Sequence, residues 1–311
     1  MLEWLRNRSR GERGEEATDG EALFDEEFQR RLEYLAIVSR RIFAGRTRAE
    51  RRSKKTGTGI EFADHRPYVP GDDFRYLDWN VYQRLGRLLL RLYEEEEDLS
   101  VYVLLDASRS MGFGRPSKLE YGKKLAASFA YIALANLDRV SVLTFADGMG
   151  ARLAPTRGKS RIFTVFEFLR NVRPEGRTSL ADSARAFVAQ NKRRGVCIVI
   201  SDLFDPQGFE DGVNALRYAK FEPYVLHLLD PEDTRTDVRG DVVLVDDETG
   251  ERRDVTITPR ILARLEQAHR AWRQRIESFC RDKQVPYYPL ETRVPFDEAV
   301  LDVLRRGEMI R

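Results

Sequence analysis

Residues 101–111 read VYVLLDASRSM, and this stretch decides the fold. Five consecutive apolar side chains, rich in β-branched and aromatic types, mark a strand buried on both faces, as in the middle of a parallel sheet. Asp106, Ser108 and Ser110 follow at alternate positions in a loop before a helix, where ligands of open α/β sheets collect. The spacing D-x-S-x-S can aim three oxygens at one point, and a hard divalent cation prefers oxygen donors. A plainer reading stands beside it, because Asp and Ser are also common helix N-caps.

Outward from this strand the chain alternates. Residues 117–137 read as a helix, 139–145 (RVSVLTF) as a second strand, and 151–154 as a short edge strand. Residues 162–169 and 180–191 lie on helices, 196–200 (VCIVI) form another apolar strand, 208–219 a helix and 223–229 (PYVLHLL) a further strand. This order specifies an α/β fold with a doubly wound, mostly parallel sheet. Residues 241–246 and 255–257 suggest a hairpin at the sheet edge around the turn 247–250. Pro259 opens a long helix to about Asp282, VPYYPL is a short apolar segment, and a last helix runs over 296–306.

The N-terminal part is different in kind. Residues 1–20 read as a flexible, charged tail. Phe24, Phe28, Leu32, Leu35, Val38 and Ile42 recur at three- and four-residue steps, the pattern of a helix docked on its own protein and stopping near Gly45. Arg40, Arg41, Arg46, Arg48, Arg51, Arg52, Lys54 and Lys55 form a basic run with no interleaved aromatics for base stacking, so it reads as a solvated linker, not a nucleic-acid site. Residues 56–80 are turn-rich, yet Phe62, Tyr68, Phe74, Tyr76, Leu77 and Trp79 are too much apolar surface for a free linker and should pack against the main domain. The expected organisation is a tail (1–20), an extension (21–98), an α/β domain (99–292) and a C-terminal helix packed on it (293–311).

The chain has 311 residues, 42% of them hydrophobic, enough for a sizeable core. Its 53 Lys and Arg nearly balance 51 Asp and Glu, which excludes a global polycation, so charge arguments must be local. The two cysteines, Cys197 and Cys280, lie far apart and fit a reducing compartment better than a disulfide framework. No window approaches the ~18 apolar residues of a membrane span, and the N-terminus lacks a signal-peptide core. The expectation is a cytoplasmic protein.

Two more loops at the carboxyl edge of the sheet carry oxygen. Thr178 sits in Gly176-Arg177-Thr178-Ser179-Leu180 and Asp202 follows the strand ending at Ser201. With Asp106, Ser108 and Ser110 they make two carboxylates and three hydroxyls, a set suited to a small hard cation. Helix capping is again the alternative, with Ser179 and Asp182 spaced as a capping-box-like pair.

These residues resemble the metal-ion-dependent adhesion site of von Willebrand factor A (vWA) domains, over roughly residues 99–290. The resemblance implies a Rossmann-like vWA fold in which Ser108 and Ser110 bind Mg²⁺ or Mn²⁺ directly, Thr178 binds directly in one state, and Asp106 and Asp202 act directly or through water. It also implies one open metal position, completed by an Asp or Glu of a partner. The preceding block, with Gly59-Ile60-Glu61-Phe62, Arg66-Pro67-Tyr68, Gly71-Asp72-Asp73, Arg75 and Asp78-Trp79, resembles the bacterial family called domain of unknown function 58. That resemblance implies an adaptor or co-chaperone of a MoxR-type AAA+ ATPase. Many of its members have membrane spans near the N-terminus, and none is read in this chain.

The expectation is therefore a metal-dependent protein-binding module and not an enzyme. The competing class is a Mg²⁺-dependent phosphohydrolase with Asp106 as nucleophile and Asp202 and Asp205 in a later loop. Such enzymes resembling the haloacid-dehalogenase type use a second Asp two residues on as general acid; here that position is Ser108, which cannot protonate a leaving group usefully near neutral pH. Phosphate-binding glycine motifs are missing, and His65, His227 and His269 have no zinc spacing.

Overall fold

The computed structural model describes residues 23–44, 52–53, 61–96, 99–233, 240–245 and 252–306. The tail, most of the basic run and the 247–250 turn lie outside the described residues. The chain divides into two compact units, residues 1–39 with 99–309, and residues 40–98 with the last two.

The first helix, α1 (Glu26–Ala44), begins with Glu26 and Glu27, whose charges favour a helix N-terminus. Phe24, Phe28, Leu32 and Leu35 are buried as their spacing predicts. Phe24 stacks on Phe166 with centroids 4.6 Å apart, and Phe28 meets Phe296 at 4.7 Å.

In the smaller unit, β1 (Arg52–Ser53) and β2 (Glu61–Pro67) flank β3 (Leu89–Glu96), both antiparallel to it. Between β2 and β3 runs α2 (Trp79–Leu85), capped by Asp78 and closed by Gly86 in the left-handed conformation at φ 62°. Leu77, Leu90 and Leu92 are buried, but Phe62, Phe74 and Trp79 are 52%, 63% and 57% exposed. The segment thus forms its own three-stranded sheet.

The larger unit is built on β4 (Ser100–Asp106), every residue of which is buried. After it come α3 (Lys118–Ala135), β5 (Arg139–Phe145), β6 (Met149–Thr156), α4 (Ile162–Asn171) and α5 (Leu180–Gln190). Then follow β7 (Val196–Ser201), α6 (Glu210–Tyr218), β8 (Glu222–Leu229), β9 (Gly240–Val245), β10 (Arg252–Ile257), α7 (Pro259–Asp282), β11 (Tyr287–Glu291) and α8 (Phe296–Arg306).

Six strands form one sheet in the order β11-β8-β7-β4-β5-β6, parallel except for the edge strand β6. This is the doubly wound α/β fold that the alternation predicts. Tyr102, Leu104, Cys197, Val199 and Val225 on one face join a core with Leu180, Phe187, Phe209, Val213, Ile276 and Cys280. On the other face α3 comes so close that a Cβ on Gly122 would lie 3.0 Å from the Leu105 side chain.

Two edges differ from expectation. β9 and β10 form a separate two-stranded sheet instead of extending the main one. The main sheet's edge is β11, the VPYYPL segment, where Pro289 is tolerated because an edge strand need not donate every N–H.

Candidate metal site at the sheet switch point

Strand order reverses between β4 and β7, since the chain leaves β4 toward β5 and later returns on the other side to β7. Ligands of open α/β sheets bind outside the carboxyl ends of strands at such a point. Asp106 ends β4 and Asp202 follows β7, so they flank this crevice.

The β4 loop holds its shape by local bonds. Asp106 is fully buried; Oδ1 accepts the Ser108 backbone N–H at 2.8 Å and Oδ2 accepts the Ser201 hydroxyl at 2.5 Å. Ser108 does not cap the one-turn helix after it, and helix α3 is capped further on by Ser117 in a reciprocal box with Glu120. The capping alternative for Ser108 and Ser110 is thereby removed. Their hydroxyl oxygens instead lie 3.0 Å apart.

The Thr178 loop is stitched to the β4 loop: the Glu175 N–H donates to Ala107 O at 2.7 Å and the Arg109 N–H to Gly176 O at 3.1 Å. Thr178 is 3% exposed, and its hydroxyl is buried with no hydrogen-bond partner. A buried unsatisfied hydroxyl costs ~1–3 kcal/mol, so it asks for an explanation. Capping does not supply it. The first N–H of α5, at Leu180, donates to Asp205 Oδ2 at 2.8 Å, while the Ser179 hydroxyl donates to Asp182 at 2.9 Å.

Asp202 is fully buried as well, with Oδ1 accepting the Phe204 N–H at 3.2 Å. Next to it Leu203 has φ 56°, a left-handed conformation that a bulky residue adopts at a cost of ~1–2 kcal/mol. The Asp202 Oδ2 carries the feature that sequence reading missed: the ammonium of Lys118, itself 0% exposed, donates to it at 2.6 Å. Lys118 also reaches Asp233 Oδ2 at 3.2 Å and lies 4.8 Å from the Phe204 ring centroid.

Electrostatics sets the two halves of the crevice apart. Burial, and secondarily the nearby charge of Asp202, push the Asp106 carboxyl up to about 7. Burial likewise pushes His227 down to about 3, leaving a neutral ring whose Nδ1 pairs with the Tyr287 hydroxyl at 2.7 Å.

One pair in the donor set has a spacing compatible with a small cation. Neighbouring ligands of an octahedral Mg²⁺ with ~2.1 Å bonds sit about 3.0 Å apart; the Ser108 and Ser110 oxygens, hydrogen-bonded to each other, are at 3.0 Å. Among the described residues no group of three or more His, Cys, Asp or Glu could hold a metal. Hydroxyls would therefore have to supply most of the shell, which favours Mg²⁺ or Mn²⁺ over softer ions. Asp106, Ser108, Ser110 and Thr178 are carried by loops hydrogen-bonded to one another, and Asp202 interacts electrostatically with Asp106 while being tied to Lys118.

Fold and site together define a doubly wound α/β protein with an oxygen-rich cluster at its switch point. The chain belongs to the family described as protein of unknown function DUF58, which it matches over residues 64–275. It is 31% identical over 224 residues to the uncharacterized protein Rv1480 of Mycobacterium tuberculosis, covering 69% of this chain and 70% of that one. Similar solved structures include the hypothetical protein BatB of Bacteroides thetaiotaomicron, at 18% identity and a TM-score of 0.42 over 67% of this chain and all of that one. Another is the SpRpn10 VWA domain, at 10% identity and a TM-score of 0.38 over 68% of this chain and 97% of that one.

Proposed function

We propose that the protein is a metal-dependent protein-binding module that captures an Asp or Glu side chain of a partner through a divalent cation held at the switch point. The observation that carries this reading is the Ser108–Ser110 hydroxyl pair at 3.0 Å on a loop bonded to that of the unpartnered, buried Thr178 hydroxyl. Ser108, Ser110 and Thr178 would supply neutral oxygens. Asp106, fixed by the Ser108 N–H and the Ser201 hydroxyl, would supply the charge. Mg²⁺ or Mn²⁺ bound by mostly neutral ligands keeps an electrophilic position that an incoming carboxylate can complete.

The partner we infer is a MoxR-type AAA+ ATPase or its client, supported by membership of the DUF58 family. The phosphohydrolase alternative has less support, because the general acid it needs two residues after Asp106 is replaced by Ser108.

Calorimetric titration with Mg²⁺ and Mn²⁺, followed by co-purification with the AAA+ ATPase in Mg²⁺ or in EDTA, tests the reading. Wild type should bind metal and retain its partner only in Mg²⁺, and Ser108→Ala should lose both. Equal capture in EDTA would sink the proposal, as would metal-dependent release of phosphate from a generic ester.

A further inference from the structure

Lys118 is the one buried ammonium among the described residues whose partners are two carboxylates, Asp202 at 2.6 Å and Asp233 at 3.2 Å. It stands at the first position of α3, immediately after the Ser117 cap. Its walls are apolar: the Phe204 ring lies 4.8 Å from the ammonium and is itself stacked on Trp272 at 4.8 Å. In such surroundings charge is weakly screened, so a full positive charge against one side of the site must act on any cation entering the other.

We propose that Lys118 is a positioning residue, the built-in counter-charge of the metal site, a role that rests on the metal-binding reading above. Its ammonium has two consequences. Asp202 is neutralised and held in place by a covalently attached cation, so the loop after β7 keeps its shape when the metal leaves. The same charge repels an incoming divalent ion, so metal affinity is held down and the ion stays exchangeable. Asp233 works in the opposite sense, by offsetting part of the Lys118 charge.

Three proteins separate these effects: wild type, Lys118→Met, which keeps length and removes charge, and Asp233→Asn, which removes the offset. Each is titrated with Mn²⁺ by calorimetry and melted in EDTA and in excess Mn²⁺. Without its ammonium, Lys118→Met leaves Asp202 buried and unpaired, so it should melt well below wild type in EDTA, and Mn²⁺ should restore most of the gap. Its Mn²⁺ affinity should tighten by about tenfold or more, the sign expected when a positive charge paired with a carboxylate of the site is removed. Asp233→Asn should bind Mn²⁺ a few-fold more weakly than wild type.

A Lys118→Met protein equally destabilised with and without Mn²⁺, or unfolded in both, would mark Lys118 as a mere structural staple and overturn the proposal. Unchanged affinity in Asp233→Asn would do the same. The two readings fail differently: a wild type that binds no Mn²⁺ removes the metal site and this role together, whereas a wild type that binds and a Lys118→Met protein that binds no tighter removes this role alone.

Discussion

Asp78 and Asp106 each stand where extended chain turns toward a helix, and each holds backbone N–H groups, those of Asn80 and Val81 for the first and of Ser108 for the second. Their surroundings are opposite. Asp78 lies between Arg91, with Nη2 3.0 Å from Oδ1 and Nε 3.0 Å from Oδ2, and His65 Nε2 at 2.9 Å. Those partners, Arg91 foremost, hold its carboxyl far below the usual range. Asp106 has hydroxyl and amide donors, and burial drives it up to about 7. An aspartate whose charge is met by a fixed cation is a structural clamp. One buried among neutral donors retains the capacity to take up a cation from outside, and the comparison separates the two roles by environment and not by residue type.

The comparison can be broken most directly at Asp106. Asp106→Asn keeps the shape but removes the charge, and calorimetry should find no measurable Mg²⁺ or Mn²⁺ binding, whereas Asp78→Asn should bind metal as wild type does. If the two variants behave alike, the distinction fails. Ser201→Ala comes next: it removes the hydroxyl that donates to Asp106 Oδ2 and accepts from the Leu203 N–H at 2.8 Å. Denaturant unfolding should show a loss of ~1–3 kcal/mol, with metal affinity reduced about tenfold or more.

Thr178→Val sharpens the contrast with a smaller effect. Because the hydroxyl has no partner inside the protein, metal-free stability should change by less than about 1 kcal/mol or rise slightly. Metal affinity should still fall, about tenfold, if Thr178 is a ligand; unchanged affinity would remove it from the site. The gentlest test is acid. A carboxyl depressed in the folded state stabilises fully above its unfolded value near ~3.9 and loses that contribution as pH falls further. Protection of the β2 and β3 amides, taken relative to the intrinsic exchange rate at each pH, should therefore hold down to about pH 4 and fall below it, and Asp78→Asn should flatten that acid limb.

Much of the frame was legible in local pattern. β4 and β7 carry uninterrupted apolar runs at 101–105 and 196–200, β5 and β8 are mostly apolar, and runs of that kind have few homes other than the middle of a parallel sheet. The three decorated loops followed from those strands. β2 and β11 were not read as strands, because the prolines and turn residues of EFADHRP and YYPLE look like punctuation, and only pairing with β3 and β8 makes them extended. Lys118 was illegible for a related reason. A lysine beside a helix cap reads as solvated, and its partners lie 84 and 115 residues downstream.

Sequence by itself determined the order of the central strands with their helices and the residue types that end each of those strands, since hydrophobic period and turn chemistry act over a few residues. Tertiary structure alone decided which oxygens share a crevice, which hydroxyl is left without a partner, and which carboxylate is already met by an ammonium. Those properties depend on burial and on distances between segments far apart in the chain, and the energies of charges and hydrogen bonds are set by such surroundings.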